Sequence, residues 1–223
     1  MSSERSPRQD GGRADDPAGV REFFTARAAG WDARFPDDGP GYASAVADLG
    51  LRAGDAVLDA GCGTGRALPA LRAAVGPGGT VLGADLTPAM LDAAVRAGRR
   101  ADGVLLTADV SRLPLRDGAL DAVFAAGLVS HLPDPAAGLR ELARCTRPGG
   151  RLALFHPVGR AALAARQGRQ LAPGDLRAEP NLGPLLADTG WALVSYTDRD
   201  TRFLALAERA GGARHPGRAG GQG

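Results

Sequence analysis

Val57-Leu58-Asp59-Ala60-Gly61-Cys62-Gly63-Thr64-Gly65-Arg66 is the stretch on which the fold turns. A short apolar run ends in an acid, and glycines then stand at alternate positions ahead of a helical sequence. Glycine admits φ > 0 and lets a ligand approach the main chain closely. In an open α/β sheet, ligands sit at the carboxyl ends of the strands. A tight strand-to-helix turn is the plainer reading, yet such a turn does not need three alternating glycines behind an acid. A nicotinamide-type fingerprint requires glycine where Arg66 stands. Asp59 would also meet a pyrophosphate with the wrong charge. A ligand carrying positive charge, and no phosphate at that point, suits the stretch better.

On either side of it, short apolar runs alternate with helical ones. Ala56–Ala60, Thr80–Ala84, Gly103–Thr107, Asp121–Ala125 and Arg151–Phe155 are bounded by Gly, Pro or Asp, as buried parallel strands are. Thr87-Pro88 and Asp134-Pro135 each predict a helix start, a capping side chain followed by proline at the first helical position. The helix that Asp134-Pro135 opens is expected to stop before Pro148-Gly149-Gly150. Near the end, Trp191–Thr197 and Arg202–Ala207 are two strand-like runs joined by four polar residues, which favours an antiparallel hairpin. These features predict an α/β, doubly wound, mainly parallel sheet with one antiparallel edge strand from the C-terminal hairpin.

The length of 223 residues suits one domain with tails. Residues 1–18 and 211–223 are polar and glycine-rich, and read as disordered tails around a domain at 19–210. Charge nearly balances, 27 basic against 25 acidic residues, and every basic residue is arginine. That balance argues against a nucleic-acid partner held by phosphate contacts. No apolar run reaches the roughly 18 residues of a membrane span, and the first residues lack the apolar centre of a secretory signal. Cys62 and Cys145 make neither a disulfide framework nor a metal site, so no metal and a reducing cytoplasm are expected.

Asp59-Ala60-Gly61-Cys62-Gly63-Thr64-Gly65 resembles the cofactor loop of class I S-adenosylmethionine-dependent methyltransferases, and the resemblance extends over about residues 19–210. Leu113–Val123 is similar to the family's L-P-F-x-D-x-x-F-D-x-V stretch, and Arg147-Pro148-Gly149-Gly150 to its turn. The resemblance implies a Rossmann-like, seven-stranded sheet and S-adenosylmethionine as cofactor. It implies cofactor contacts at Asp59, Gly61, Cys62, Gly63 and Gly65. Asp85, with Leu86 beside it, matches the acid that binds the ribose hydroxyls; two carboxylate oxygens can accept both protons. Asp109 and Val110 match the segment that meets the adenine. Ala126 matches the main chain beside the sulfonium, and Trp31 an aromatic residue that folds over the cofactor or acceptor. Other readings of single residues stand beside these. Asp85 could serve the helix start at Thr87, Asp109 a solvated turn, Trp31 the core, and Cys62 simple packing.

His131 and His156 follow the fourth and fifth strands, facing the same crevice. Each is a candidate general base, because histidine titrates near neutrality. Each also has a structural reading, as a capping, packing or positioning side chain. Gly159–Leu186 is expected to shape the acceptor pocket. A D/N-P-P-Y motif is absent, which argues against methylation of DNA bases. Three functions follow: a methyltransferase acting on a small molecule, a methyltransferase-like domain that binds cofactor without turnover, and a nicotinamide-dependent oxidoreductase. The oligomeric state is not legible in the sequence.

Overall fold

The computed structural model describes residues 17–211. The tails read from composition lie outside the described residues, apart from Pro17, Ala18 and Gly211. The first helix, α1 (Pro17–Thr25), opens two residues before the expected start of the domain. A short helix α2 (Trp31–Arg34) and α3 (Gly39–Leu49) precede the sheet.

The strands are β1 (Ala56–Ala60), β2 (Thr80–Asp85), β3 (Val104–Thr107), β4 (Leu120–Ala126), β5 (Thr146–His156), β6 (Trp191–Arg199) and β7 (Arg202–Arg209). They form one seven-stranded sheet in the order β3-β2-β1-β4-β5-β7-β6. The first five are parallel to one another, and β7 pairs antiparallel with both β5 and β6. The hairpin thus builds one edge of the sheet. Its antiparallel strand is the inner of the two, and β6 is outermost.

Helices α4 (Leu68–Val75), α5 (Pro88–Arg96), α6 (Pro135–Cys145), α7 (Arg160–Arg166) and α8 (Glu179–Asp188) follow or separate the strands. Two apolar cores result, one on each face. Leu139, Leu142, Leu182, Leu186 and Trp191 belong to the core that takes Leu58, Val123 and Leu154. Leu49, Leu68 and Leu71 belong to the core that takes Val57, Phe124 and Phe155. The period-two alternation of β1 and β4 sets this division, since successive side chains point to opposite faces. Strand order reverses about β1, which pairs with β2 on one side and β4 on the other. A crevice opens at such a switch point, at the carboxyl ends of the strands.

Two local expectations need correction. Thr87 has the extended backbone of an N-cap, but its side chain makes no capping bond to the helix. Asp134 does cap, accepting from the Ala137 N–H at 2.9 Å. Arg147–Gly150 is part of β5 rather than a turn ahead of it. The pairing with β4 skips from Leu120–Thr146 to Ala122–Arg151, so these residues bulge out of the ladder, with Gly149 at φ 73°. Among the described residues, no helix is long and apolar enough to cross a membrane.

Trp191 ties α6 to the hairpin. It is fully buried and donates from Nε1 to the Leu139 carbonyl at 3.0 Å. Trp191→Ala should lower the unfolding free energy by about 3–5 kcal/mol. Urea unfolding checks this, and an unchanged midpoint would mean that the ring does not anchor the core.

Candidate functional site

The glycine loop leaves β1 with three residues in the left-handed region, Gly61 at φ 67°, Gly63 at φ 54° and Gly65 at φ 77°. Their surroundings differ. A Cβ on Gly61 would meet Leu128 at 2.8 Å, and one on Gly65 would meet Leu68 at the same distance. A Cβ on Gly63 would meet nothing within 4 Å. Gly63 is therefore the position where the loop offers its main chain to a ligand. The Cys62 side chain turns away and lies 3.1 Å from where a Gly83 Cβ would stand. Burial pushes its thiol pKa up, so Cys62 is a packed thiol with only its main chain facing the loop.

Asp85, at the end of β2, holds this loop. Its Oδ2 accepts the Gly63 N–H and its Oδ1 the Thr87 N–H, both at 2.8 Å. The helix-start role is therefore real, and the same carboxylate also reaches the loop. Burial raises its pKa, opposed by those two N–H groups. Asp59 shares a face of β1 with Val57, toward the core of α3 and α4. It is buried, and its Oδ2 has no hydrogen-bond partner. Burial, followed by the charge of Asp85, pushes its pKa up to about 8. An orphaned buried carboxyl oxygen calls for a cation or donor.

The other expected residues fall at the same carboxyl edge. Asp85 pairs in register with Thr107, two residues before Asp109. Asp109 Oδ1 accepts the Ser111 N–H at 2.8 Å and its hydroxyl at 2.7 Å, the turn role read as its alternative. Its other oxygen makes no hydrogen bond to the described residues. Leu86 is half-buried, whereas the Val110 side chain is in the core and leaves only its main chain for a ligand. Ala126 ends β4 and is partly exposed.

Trp31 belongs to neither core. Its ring lies 5.6 Å from Phe24 and 5.4 Å from Phe35, and Phe24 packs edge-on to His131 at 5.1 Å. The N-terminal segment therefore reaches across to the loop after β4. His131 keeps an exposed edge, while the protein around its inner side, and then Arg177, lowers its pKa. His156 Nδ1 lies 2.7 Å from the Val158 carbonyl and 3.1 Å from the Val158 N–H. Taking the Val158 carbonyl contact as the hydrogen bond puts the proton on Nδ1 and leaves Nε2 bare; the Val158 N–H contact would require the opposite tautomer. Burial, and to a smaller extent Arg177, pushes its pKa down to about 4, so it is neutral at pH 7.

Several residues at the site escaped the sequence. Asp32 accepts the Thr64 hydroxyl at 2.6 Å and Arg99 Nη1 at 2.7 Å, and Arg99 Nη1 also donates to the Thr64 carbonyl at 2.6 Å. Arg66 donates to Asp38 at 3.2 Å and to the Phe35 carbonyl. Arg66, the departure from the nicotinamide fingerprint, thus clamps the N-terminal segment onto the glycine loop. Tyr42 lies 5.2 Å from the Phe155 ring and under the Arg66 guanidinium at 5.3 Å. Burial raises its pKa, and Asp59 is among the charges that act on it. The hydrogen bonds among these residues join positions up to 67 apart, and the Tyr42–Phe155 contact spans more, so no local pattern announces them.

The fold and this loop define a class, and comparison with known proteins agrees with it. Residues 58–154 match the family model described as a methyltransferase domain. The 27-O-demethylrifamycin SV methyltransferase of Amycolatopsis mediterranei is 40% identical over 185 residues, covering 73% of this chain and 67% of that protein. A crystallised SAM-dependent methyltransferase from Aquifex aeolicus superposes with a TM-score of 0.64 at 23% identity, covering 87% of this chain and 99% of that one. Magnesium protoporphyrin IX methyltransferase from Synechocystis PCC 6803, solved with bound SAH, gives 0.66 at 19% identity, covering 87% and 99%. This chain belongs to the class I S-adenosylmethionine-dependent methyltransferases. It spans 34%, 42% and 67% of the lengths of the first three curated relatives it matches.

Asp59 gives a pH signature. Unfolded, it loses its proton near 3.8; folded, it keeps it up to about 8. Between these values the folded chain binds more protons than the unfolded one, so Asp59 makes stability fall as pH rises. Asp59→Asn removes that titration. Urea unfolding should show the variant gaining on the native chain from about pH 4 to about pH 8. A gap that stays constant over this range would contradict the raised pKa.

Proposed function

We propose that this chain is an S-adenosylmethionine-dependent methyltransferase for a small-molecule acceptor, with one domain at residues 19–210 and its work in the cytoplasm. Two features of the glycine loop carry the reading. Gly63 would admit a Cβ into open space, and beside it a buried carboxyl oxygen of Asp59 lacks a partner. A ligand with a cationic amino-acid end and a neutral ribose answers both. A pyrophosphate would meet two carboxyl groups, Asp59, which is buried, and Asp85, which is partly buried. The family's named members point to small acceptors, as in the rifamycin enzyme of Amycolatopsis mediterranei. Both cysteines are free and buried, which suits a reducing compartment.

S-adenosylmethionine supplies a methyl group on a sulfonium, which leaves as a neutral thioether. The chain's own residues bind and orient. Asp85 has lone pairs left for the ribose hydroxyls after its two N–H bonds. Asp59 faces the ammonium end. The main chain of Gly61, Cys62, Gly63 and Gly65 lines the amino-acid portion, and Ala126 adds a main-chain contact. Leu86, Val110 and the free oxygen of Asp109 serve the adenine. Trp31 and Phe24 close the mouth and exclude water. His131 and His156 face the acceptor, and Nε2 of neutral His156 accepts a hydrogen bond or a proton from it. Holding acceptor and methyl in line supplies much of the acceleration, up to about 7–11 kcal/mol in favourable systems.

Asp85→Ala should weaken cofactor binding by about 1.5–3 kcal/mol, the scale of a hydrogen bond to a charged group. S-adenosylhomocysteine keeps the ribose and should lose affinity equally. Calorimetry with both ligands reads this, and unchanged affinity for both would leave Asp85 with the helix start and the loop alone.

A further inference from the structure

Arg177 stands outside the cofactor residues, in the segment between α7 and α8. Its charge acts on both His131 and His156, from a position over the Phe203 ring, 6.0 Å from guanidinium carbon to ring centroid. Phe203 is the register partner of His156. Arg177 and His156 therefore lie on either side of Phe203 at the carboxyl end of β5, and His131 lies on the loop after the neighbouring β4, against Phe24.

The segment that carries Arg177 is firmly held. Tyr196 donates its hydroxyl to the Arg177 carbonyl at 2.8 Å, and Asp175 Oδ1 accepts the Arg177 N–H at 2.9 Å. The guanidinium itself is not. Its Nε is buried without a hydrogen-bond partner and lies 3.5 Å from Asp175 Oδ1. Asp175 is already engaged, since its Oδ2 accepts Arg160 Nε at 2.9 Å. Asp198, the other nearby acid, takes the Arg160 N–H at 2.8 Å and Arg160 Nη1 at 3.2 Å. The two carboxylates thus satisfy Arg160 and leave Arg177 with an ion pair but no hydrogen bond among the described residues. A guanidinium offers five donors in a planar fork that matches an oxyanion. A largely buried fork with unfilled donors, beside two neutral imidazoles and an aromatic ring, is built to receive a negative group.

We propose that Arg177 recognises the acceptor and that the acceptor carries an oxyanion, a carboxylate or phosphate, seated on this guanidinium beside the Phe203 ring. The proposal rests on the methyltransferase reading and narrows its substrate class. The anion fixes one end of the acceptor on Arg177, while its nucleophilic end lies toward His131 and His156. Neither histidine then needs to bind the anion, which agrees with both being held neutral. A neutral acceptor can offer the Arg177 fork a carbonyl or hydroxyl oxygen, but only an oxyanion makes the stronger charge-assisted hydrogen bond with it, which favours the anion.

The test uses the full chain saturated with S-adenosylhomocysteine. The probes are 4-hydroxybenzoate, phenyl phosphate and neutral 4-hydroxybenzamide, and binding is read by calorimetry. At least one anionic probe should bind about tenfold or more tighter than the amide, the scale of a charge-assisted hydrogen bond. Which of the two binds assigns the oxyanion. Arg177→Gln should erase the preference while leaving S-adenosylhomocysteine affinity unchanged, which also shows the variant folded. Arg177→Lys should keep part of it, and Arg140→Gln, on the exposed face of α6, all of it. Equal binding of amide and anions, failure of every anion to bind, or a preference that survives Arg177→Gln would overturn the proposal. Failure of the native chain to bind S-adenosylhomocysteine would instead overturn the methyltransferase reading.

Discussion

The carboxylate of Asp85 joins the two parts from which the proposed cofactor site is made, the glycine loop and the start of α5. One oxygen takes the Gly63 N–H of the glycine loop and the other the Thr87 N–H at the start of α5. The loop needs such an anchor, because three of its residues occupy a backbone region that other residues avoid. With the loop fixed, Gly63 presents open main chain and Asp59 presents a carboxyl oxygen without a partner. Burying carboxyl groups is costly, and the raised pKa values of both acids record that cost. A cationic group bound near them would offset it.

Around this centre the N-terminal segment acts as a strap. Asp32 and Asp38 are its polar fasteners, held by Thr64, Arg99 and Arg66, all from or beside the glycine loop. Trp31, Phe35 and Phe24 form its apolar underside. Ion pairs of this partly exposed kind contribute modestly to stability.

The backbone plan was legible where local chemistry decides it. Ala56–Ala60 is a strand at the residues its apolar run marks, and Asp134 caps α6 as its sequence context implies. The hairpin was legible from two apolar runs and a polar link, but not which of its strands lies inside, because that depends on pairing with β5. Thr87 misled: it has the extended backbone of an N-cap, but the carboxylate that meets the helix start is Asp85, which accepts the Thr87 N–H, and the Thr87 hydroxyl makes no capping bond. Arg147–Gly150 has turn residues, yet β4 lies close enough to draw its flanks into the ladder. For the site, the glycines and Asp59 were legible because they sit in one continuous motif, and Asp85 through the resemblance that sets an acid after the second strand. Asp32, Arg99, Tyr42 and Arg177 were not, because each acts on a partner distant in sequence. The unfilled fork of Arg177 in particular follows from how Arg160 divides Asp175 and Asp198, which only the folded arrangement reveals.

The central claim is that the glycine loop, with Asp59 and Asp85, selects a cationic adenosyl ligand over a dinucleotide. Calorimetric titration of the native chain with S-adenosylmethionine and, separately, with NAD tests it most directly. The account predicts saturable one-to-one binding of S-adenosylmethionine, proton release at neutral pH as Asp59 ionises against the bound cation, and no binding of NAD at equal concentration. Binding of NAD in preference to S-adenosylmethionine, or S-adenosylmethionine binding with no proton release, would contradict it.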